Sequence, residues 1–383
     1  MLRVLMMGGR RCGKTSVLTS MFYQAINGDL NDIFTLNNAT TPQRKDNEEI
    51  DSLENKRLEL VNFIAAGGNY TFLADQNPTM NFWDYTLRLQ IPGTGRDMDI
   101  VFRDSAGEVF DANSKDYQDT LSYAKECDVF VVVVDTPYLM AGNDVEKEAA
   151  NIKDSIHTFL TNIKRNKAVQ VIFVPVKCEK WIKEGTINDV IDAVKTLYKA
   201  TIKDLLATDK IEVCIIPIQT AGDIVFEELR EPYKLFNANN PMDEGQRCSL
   251  DVDNNQIVIQ ANGRSRKLRN GEYVNEDLKG VFPGTAIVRP NAWYSLYHNP
   301  RATYSPHNCE QLVIYILRFM FNKIKTEALG GLLGKLLKKI FGTITREDME
   351  NALNKLSDEG LIKNNGDGIE ILKSCFLKTN SVR

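Results

Sequence analysis

Eight residues near the start of the chain restrict its possible folds more than any other feature: Gly8-Gly9-Arg10-Arg11-Cys12-Gly13-Lys14-Thr15, which spells G-x-x-x-x-G-K-[ST]. The run Arg3–Met7 before them is apolar and strand-like, and a helical pattern runs from Lys14 to about Ile26. A strand that turns through glycines into a helix can aim successive backbone N–H groups at phosphate oxygens, and the helix N-terminus adds its dipole. In such a loop Gly8 to Gly13 form the cradle, Lys14 reaches the terminal phosphates, and Thr15, followed by Ser16, offers a hydroxyl to Mg2+. The bare pattern occurs by chance, and the strand before and helix after are what give it weight.

A second element follows at Asp104-Ser105-Ala106-Gly107-Glu108, directly after the strand-like Asp99–Arg103. A carboxylate at a strand end can hold a magnesium ion, and a glycine three residues on can donate its N–H to a terminal phosphate. Thr86–Ile91 and Asp99–Arg103, joined by Pro-Gly-Thr-Gly, read as an antiparallel hairpin. Further strand-like runs at Asp128–Asp135, Val169–Val176 and Glu212–Ile218 alternate with helical patterns. That rhythm predicts an α/β three-layer sandwich on a mostly parallel sheet with one antiparallel hairpin strand, large insertions and a small C-terminal α/β appendage.

In this order the motifs resemble those of Ras-like (translation-factor-related, TRAFAC-class) P-loop GTPases. The long chain, the large insertion and the Cys309-Glu310-Gln311 start of a late apolar helix are similar to bacterial double-GTPase-type proteins of multi-gene conflict or signalling systems. The resemblance implies a Mg2+-dependent switch that binds GTP and GDP and hydrolyses GTP, working with a protein partner or a co-encoded GTPase-like subunit. It also implies a base-reading [NT]-K-x-D element after Val169–Val176, where the chain has Val176-Lys177-Cys178-Glu179. Lys177 is kept, Glu179 supplies a carboxylate with one extra methylene, and Val176 brings no polar group. Gln219-Thr220-Ala221 occupies the place of a second base-contacting loop. For the switch threonine that would reach magnesium, Thr79 stands nearest before the hairpin, with Thr71, Thr40 and Thr41 left open. Glu108 takes the place of a water-orienting glutamine, and Arg10 and Arg11 occupy loop positions that are small in the family. Either arginine could supply charge in cis or remain solvated.

The G domain is expected over 1–325, with insertions at about 28–78 and 223–308. Residues 326–383 are expected to form an amphipathic helix (apolar face Leu329 to Phe341), then a short helix opened by Thr345 and Asp348 and ended by Gly360, then a hairpin over Leu361–Leu372. That second helix is too acidic for a nucleic-acid groove. A net charge of −4 and a pI near 5.7 give no global pull toward nucleic acid or anionic membrane. No apolar run reaches membrane-spanning length, and the strand-like start leaves no room for a secretory leader. Seven cysteines without a C-x-x-C pair fit reduced thiols in a cytoplasmic protein. His298, His307 and Cys309 lack a fourth metal ligand, and Asp251, Asp253 and Asn255 read as a polar turn. Two other functions stay open: a nucleotide-gated binding module with little turnover, and an ATP-binding protein on the same loop.

Overall fold

The computed structural model describes residues 2–10, 12–38, 53–66, 70–72, 82–163, 167–222, 224–230, 246–251, 256–261, 264–267, 294–298, 303–327 and 344–375. The strands are β1 (Leu2–Met7), β2 (Thr35–Asn38), β3 (Tyr70–Phe72), β4 (Trp83–Ile91), β5 (Arg96–Asp104), β6 (Val129–Asp135), β7 (Val169–Val176), β8 (Ile211–Ile215), β9 (Val225–Arg230), β10 (Gln246–Asp251), β11 (Gln256–Ala261), β12 (Arg264–Lys267), β13 (Tyr294–His298) and β14 (Glu370–Lys373). The α-helices are α1 (Lys14–Asn27), α2 (Leu53–Ala66), α3 (Tyr117–Ala124), α4 (Thr136–Ala141), α5 (Asp144–Asn151), α6 (Lys153–Asn162), α7 (Glu179–Lys183), α8 (Ile187–Leu197), α9 (Lys199–Ala207), α10 (Cys309–Glu327) and α11 (Arg346–Asp358).

Eight strands form one sheet in the order β14-β8-β7-β6-β1-β5-β4-β2. From β8 to β5 every pairing is parallel, and β4 returns antiparallel on β5 as the hairpin predicts. Two more antiparallel strands finish the edges: β2 on β4 and β14 on β8. All residues of β6 and β7 are buried, which is why these strands read as unbroken apolar runs: a strand covered on both faces has no solvent side to alternate with. In β1 the side chains divide by parity. Leu2, Val4 and Met6 join the core under α1 and α10, while Leu5 and Met7 join the core with Phe159 of α6, Val190 of α8 and Leu205 of α9. These two cores, one on each face, make the three-layer α/β sandwich.

The late helix closes a face rather than an edge. Leu312, Val313 and Phe319 of α10 are buried against α1, and the Lys323 ammonium, itself buried, donates to Asp128 Oδ1 at 2.8 Å and to the Ala168 carbonyl at 3.1 Å. The two insertions meet each other: β3 from the first pairs with β13 from the second, and β13 pairs with β9. Within the second insertion β11 is flanked antiparallel by β10 and β12.

The expected tail hairpin is corrected. Its first half makes only a single bridge, Asn365 to Ile369, and its second half is β14, which pairs with β8 instead. The outer backbone groups of a buried edge strand need partners, and β14 supplies them. Lys195 of α8 fixes the new strand by donating to both carboxylate oxygens of Glu370, at 3.1 and 2.8 Å. The helix before it does carry the capping box, with Thr345 and Asp348 bonded reciprocally, and Gly360 just beyond its end has φ +68°. The amphipathic run at Leu329–Phe341 lies outside the described residues. No described helix is long and apolar enough to cross a membrane.

Candidate functional site

Parallel pairing puts the carboxyl ends of β1, β5, β6 and β7 on one rim, the place where open α/β sheets bind ligands. The loop after β1 begins with Gly8 at φ +147° and ends with Gly13 at φ +105°, both in the left-handed half that side chains disfavour. A Cβ on Gly8 would lie 2.7 Å from the Val133 carbonyl oxygen, and one on Gly9 would lie 2.0 Å from that of Ala150. The turn therefore has room only for glycine at both places. Lys14 is 5% exposed, and its ammonium donates to the carbonyls of Gly8 at 3.1 Å and Gly9 at 2.9 Å, so it is held at the centre of its own loop. Helix α1 opens on Gly13 with no side-chain cap, which leaves its first N–H groups for an anion. Cys12 is buried beneath the loop, and burial raises its thiol pKa. Ser16 is half-buried in the first turn, and Arg11 lies outside the described residues.

Asp104 at the end of β5 is fully buried, and Oγ1 of Thr15 donates to its Oδ2 at 2.6 Å. A hydroxyl and a carboxylate facing each other at a helix start are hard oxygen donors, and this set suits Mg2+. Gly107 is seated on the phosphate loop. A Cβ there would lie 2.6 Å from the Arg10 nitrogen, 2.8 Å from the Gly9 carbonyl carbon and 3.1 Å from the Gly8 oxygen. The next residue, Glu108, meets the guanidinium of Arg10 at 3.3 Å. Thr79, Thr40 and Thr41 lie outside the described residues, whereas Thr71 sits in β3 opposite Tyr297.

At the end of β7, Val176 is buried and faces Gly13, whose added Cβ would touch Val176 Cγ2 at 3.7 Å. An apolar contact with the phosphate loop thus fills the place where the family pattern has Asn or Thr. Lys177 adopts φ +60°, and its ammonium donates to Oδ2 of Asp135 at 2.5 Å. Glu179 is buried at the start of α7, where Oε1 accepts the Ala221 N–H at 3.1 Å. Its Oε2 is buried and has no hydrogen-bond partner among the described residues. Burial pushes the Glu179 carboxyl up to about 7, opposed by the nearby amides and by Lys177. Thr220, on the same loop as Ala221, accepts from the Ser20 hydroxyl of α1 at 2.8 Å.

The fold therefore brings Gly8–Gly13, Lys14, Thr15, Asp104, Gly107, Glu108, Lys177, Glu179 and the Thr220 loop to one rim. It adds residues that pattern reading missed. Asp135 holds Lys177, and Asn151, fully buried, accepts from the Asp135 N–H at 2.7 Å and donates to the Lys147 carbonyl at 3.1 Å. The Tyr198 hydroxyl donates to the Asn151 carbonyl at 2.8 Å. A carboxylate closing an otherwise apolar strand was the available signal for Asp135. Asn151 and Tyr198 carry none, because their roles arise from tertiary contact alone.

Strand, glycine loop and helix, with a carboxylate at the neighbouring strand end, define a P-loop nucleotide-binding site. Over residues 75–222 the sequence matches the family model described as Double-GTPase 2, so its likeness is to P-loop GTPases of the double-GTPase type. That match begins after the phosphate loop, which rests on its own motif and geometry. No curated protein matches the sequence. Solved structures to which the chain is similar include two GTPase-related ones. The signal recognition particle receptor SRb-GTP/SRX complex from Chaetomium thermophilum is 12% identical, with 58% of this chain and 92% of that chain covered and a TM-score of 0.32. The S. cerevisiae Ski7 GTPase-like domain, bound to GTP, is 13% identical, with 78% and 71% covered and a TM-score of 0.31.

Proposed function

We propose that the chain is a Mg2+-dependent, GTP-binding and GTP-hydrolysing switch, residing in the cytoplasm and serving a bacterial multi-protein signalling or defence system. The observation that carries this reading is the meeting on one rim of three separate sequence elements: the Gly8–Thr15 loop, the Asp104–Gly107 turn and the Glu179–Ala221 contact. Lys14 and the loop amides bind the β- and γ-phosphates. Thr15 and Asp104 would hold Mg2+, joined by Thr79 from the switch segment, and the ion would supply charge neutralisation on the phosphate oxygens. The Gly107 N–H donates to the γ-phosphate, Glu108 positions water, and Arg10 adds positive charge at the transition state. Glu179, with Lys177 and the Thr220–Ala221 loop, reads the guanine edge. The G domain takes residues 1–325 together with the β14 strand that completes its sheet, and the rest of 326–383 docks a protein partner or a co-encoded GTPase-like subunit.

The test is a parallel titration of GTP and ATP with magnesium, followed by single-turnover hydrolysis. A clear preference for GTP and turnover above the rate of GTP in buffer are expected. Equal affinity for the two nucleotides would sink guanine reading and favour the ATP-binding alternative. A second reading, a nucleotide-gated module with little turnover, draws on the Arg10–Glu108 pair, in which each candidate rate-enhancing group engages the other at 3.3 Å. Hydrolysis no faster than in buffer would favour it.

A further inference from the structure

The carboxylate assigned to the base has one open oxygen instead of two. Glu179 is 5% exposed; its Oε1 accepts the Ala221 N–H at 3.1 Å, whereas its buried Oε2 has no hydrogen-bond partner among the described residues. A carboxylate with both oxygens free takes two donors side by side, and one oxygen turned into the protein leaves a single acceptor for a ligand. The Ala221 contact is a fixed part of the fold, because its loop is anchored at the residues on both sides of Ala221. Gln219 exchanges backbone hydrogen bonds with His307 at 3.0 and 2.9 Å. The Thr220 carbonyl accepts from the Ser20 hydroxyl, which in turn accepts from the Tyr304 hydroxyl at 2.9 Å. Gly222, at φ +110°, lies so close to the segment before α10 that a Cβ there would stand 2.3 Å from the Thr303 carbonyl oxygen. Moving Ala221 off Glu179 would disturb these contacts together, so Oε1 stays committed to the loop. The bare Oε2 carries a desolvation cost that a donor on a ligand relieves. Val176, packed against Gly13, brings no polar group to the base from the end of β7.

Resting on the nucleotide reading above, we propose that the site takes 6-oxopurine nucleotides as a class, hypoxanthine as well as guanine. Glu179 Oε2 accepts the ring N1–H that both bases carry, while Oε1, held by Ala221, leaves the 2-amino group of guanine unread. Adenine presents a lone pair at N1 in place of the N–H and sets it against the carboxylate, so it is rejected.

The test is displacement of labelled GDP from the full-length chain by unlabelled GDP, IDP and ADP, with magnesium at pH 8. IDP is expected to bind within about twofold of GDP, and ADP at least about tenfold more weakly, the size of one hydrogen bond to a charged group. The same titration on Glu179→Asp probes the cause. Its carboxylate is one methylene shorter and withdraws from the Ala221 amide, which frees both oxygens, so GDP should gain about tenfold over IDP. A GDP-to-IDP preference of about tenfold in the wild type would overturn the proposal and leave the guanine reading standing. A ratio that stays near one in Glu179→Asp would overturn the role given to the Oε1–Ala221 contact. Equal binding of all three nucleotides would overturn base reading and this proposal together, and failure to bind labelled GDP at all would remove the parent reading itself.

Discussion

Lowering the pH from 8 to 6 is predicted to weaken guanine-nucleotide binding through one buried carboxyl group. Glu179 is 5% exposed, and burial pushes its pKa up to about 7, against the downward pull of its own amide, those of Ala221 and Thr220, and the Lys177 ammonium. Only the ionised carboxylate is purely an acceptor, and guanine presents donors on the edge to be read. A pKa of about 7 leaves about nine-tenths of the groups ionised at pH 8 and about one-tenth at pH 6, so affinity should fall about tenfold, or ~1.4 kcal/mol. Folding responds with the opposite sign. The folded chain holds this proton more tightly than the unfolded chain does. The resulting stabilisation is complete below the ordinary value of 4.5 and is lost as the pH climbs through about 7. The assay is anisotropy titration of labelled GDP at pH 6, 7 and 8, with Glu179→Gln reporting the titration of the nucleotide's own phosphates. The variant should lose both the extra pH dependence and the preference for guanine over adenine. Identical pH profiles for the two proteins would refute the reasoning.

Three further perturbations probe the rest of the rim. Lys14→Ala removes the buried ammonium that the loop carbonyls hold in place, and triphosphate affinity should drop by about a hundredfold or more in calorimetry. Gly107→Ala places a methyl group 2.6 Å from the Arg10 nitrogen, which lifts the turn from the loop; single-turnover hydrolysis should slow on the order of a hundredfold while GDP affinity changes little. Asn151→Ala leaves the buried Asp135 N–H without its 2.7 Å acceptor, so a denaturant titration should show a loss of about 1–3 kcal/mol. Unchanged stability in that variant would mean that the Asp135 amide finds another partner.

The parts of this protein legible in its sequence are those governed by local pattern. The glycine loop announced itself because only glycine fits the positive φ angles and the close approaches of Val133 and Ala150. The buried strands β6 and β7 were visible as apolar runs, and Asp104 because a carboxylate followed a strand. What escaped reading depends on which segments meet. Nothing in Glu370–Lys373 announces β8 as its partner in place of a local hairpin, because that choice follows from the unfilled edge of a sheet built far upstream. The two insertions looked like separate polar stretches, yet β3 and β13 pair across more than two hundred residues. Val176 looked like a defect in the base-reading element until its contact with Gly13 showed the packing it supplies. Glu179 was read as a carboxylate, but its burial and its hold on the Ala221 amide depend on the loop after β8 arriving beside it.

The most direct trial of the central claim is a structure of the full chain grown with a non-hydrolysable GTP analogue and magnesium. The account predicts phosphates cradled by the Gly8–Thr15 loop, with a metal ion held by the Thr15 and Asp104 side chains that now meet at 2.6 Å. A saturated crystal with no metal ion at Thr15 and Asp104, or in which the nucleotide sits elsewhere on the molecule, would contradict it.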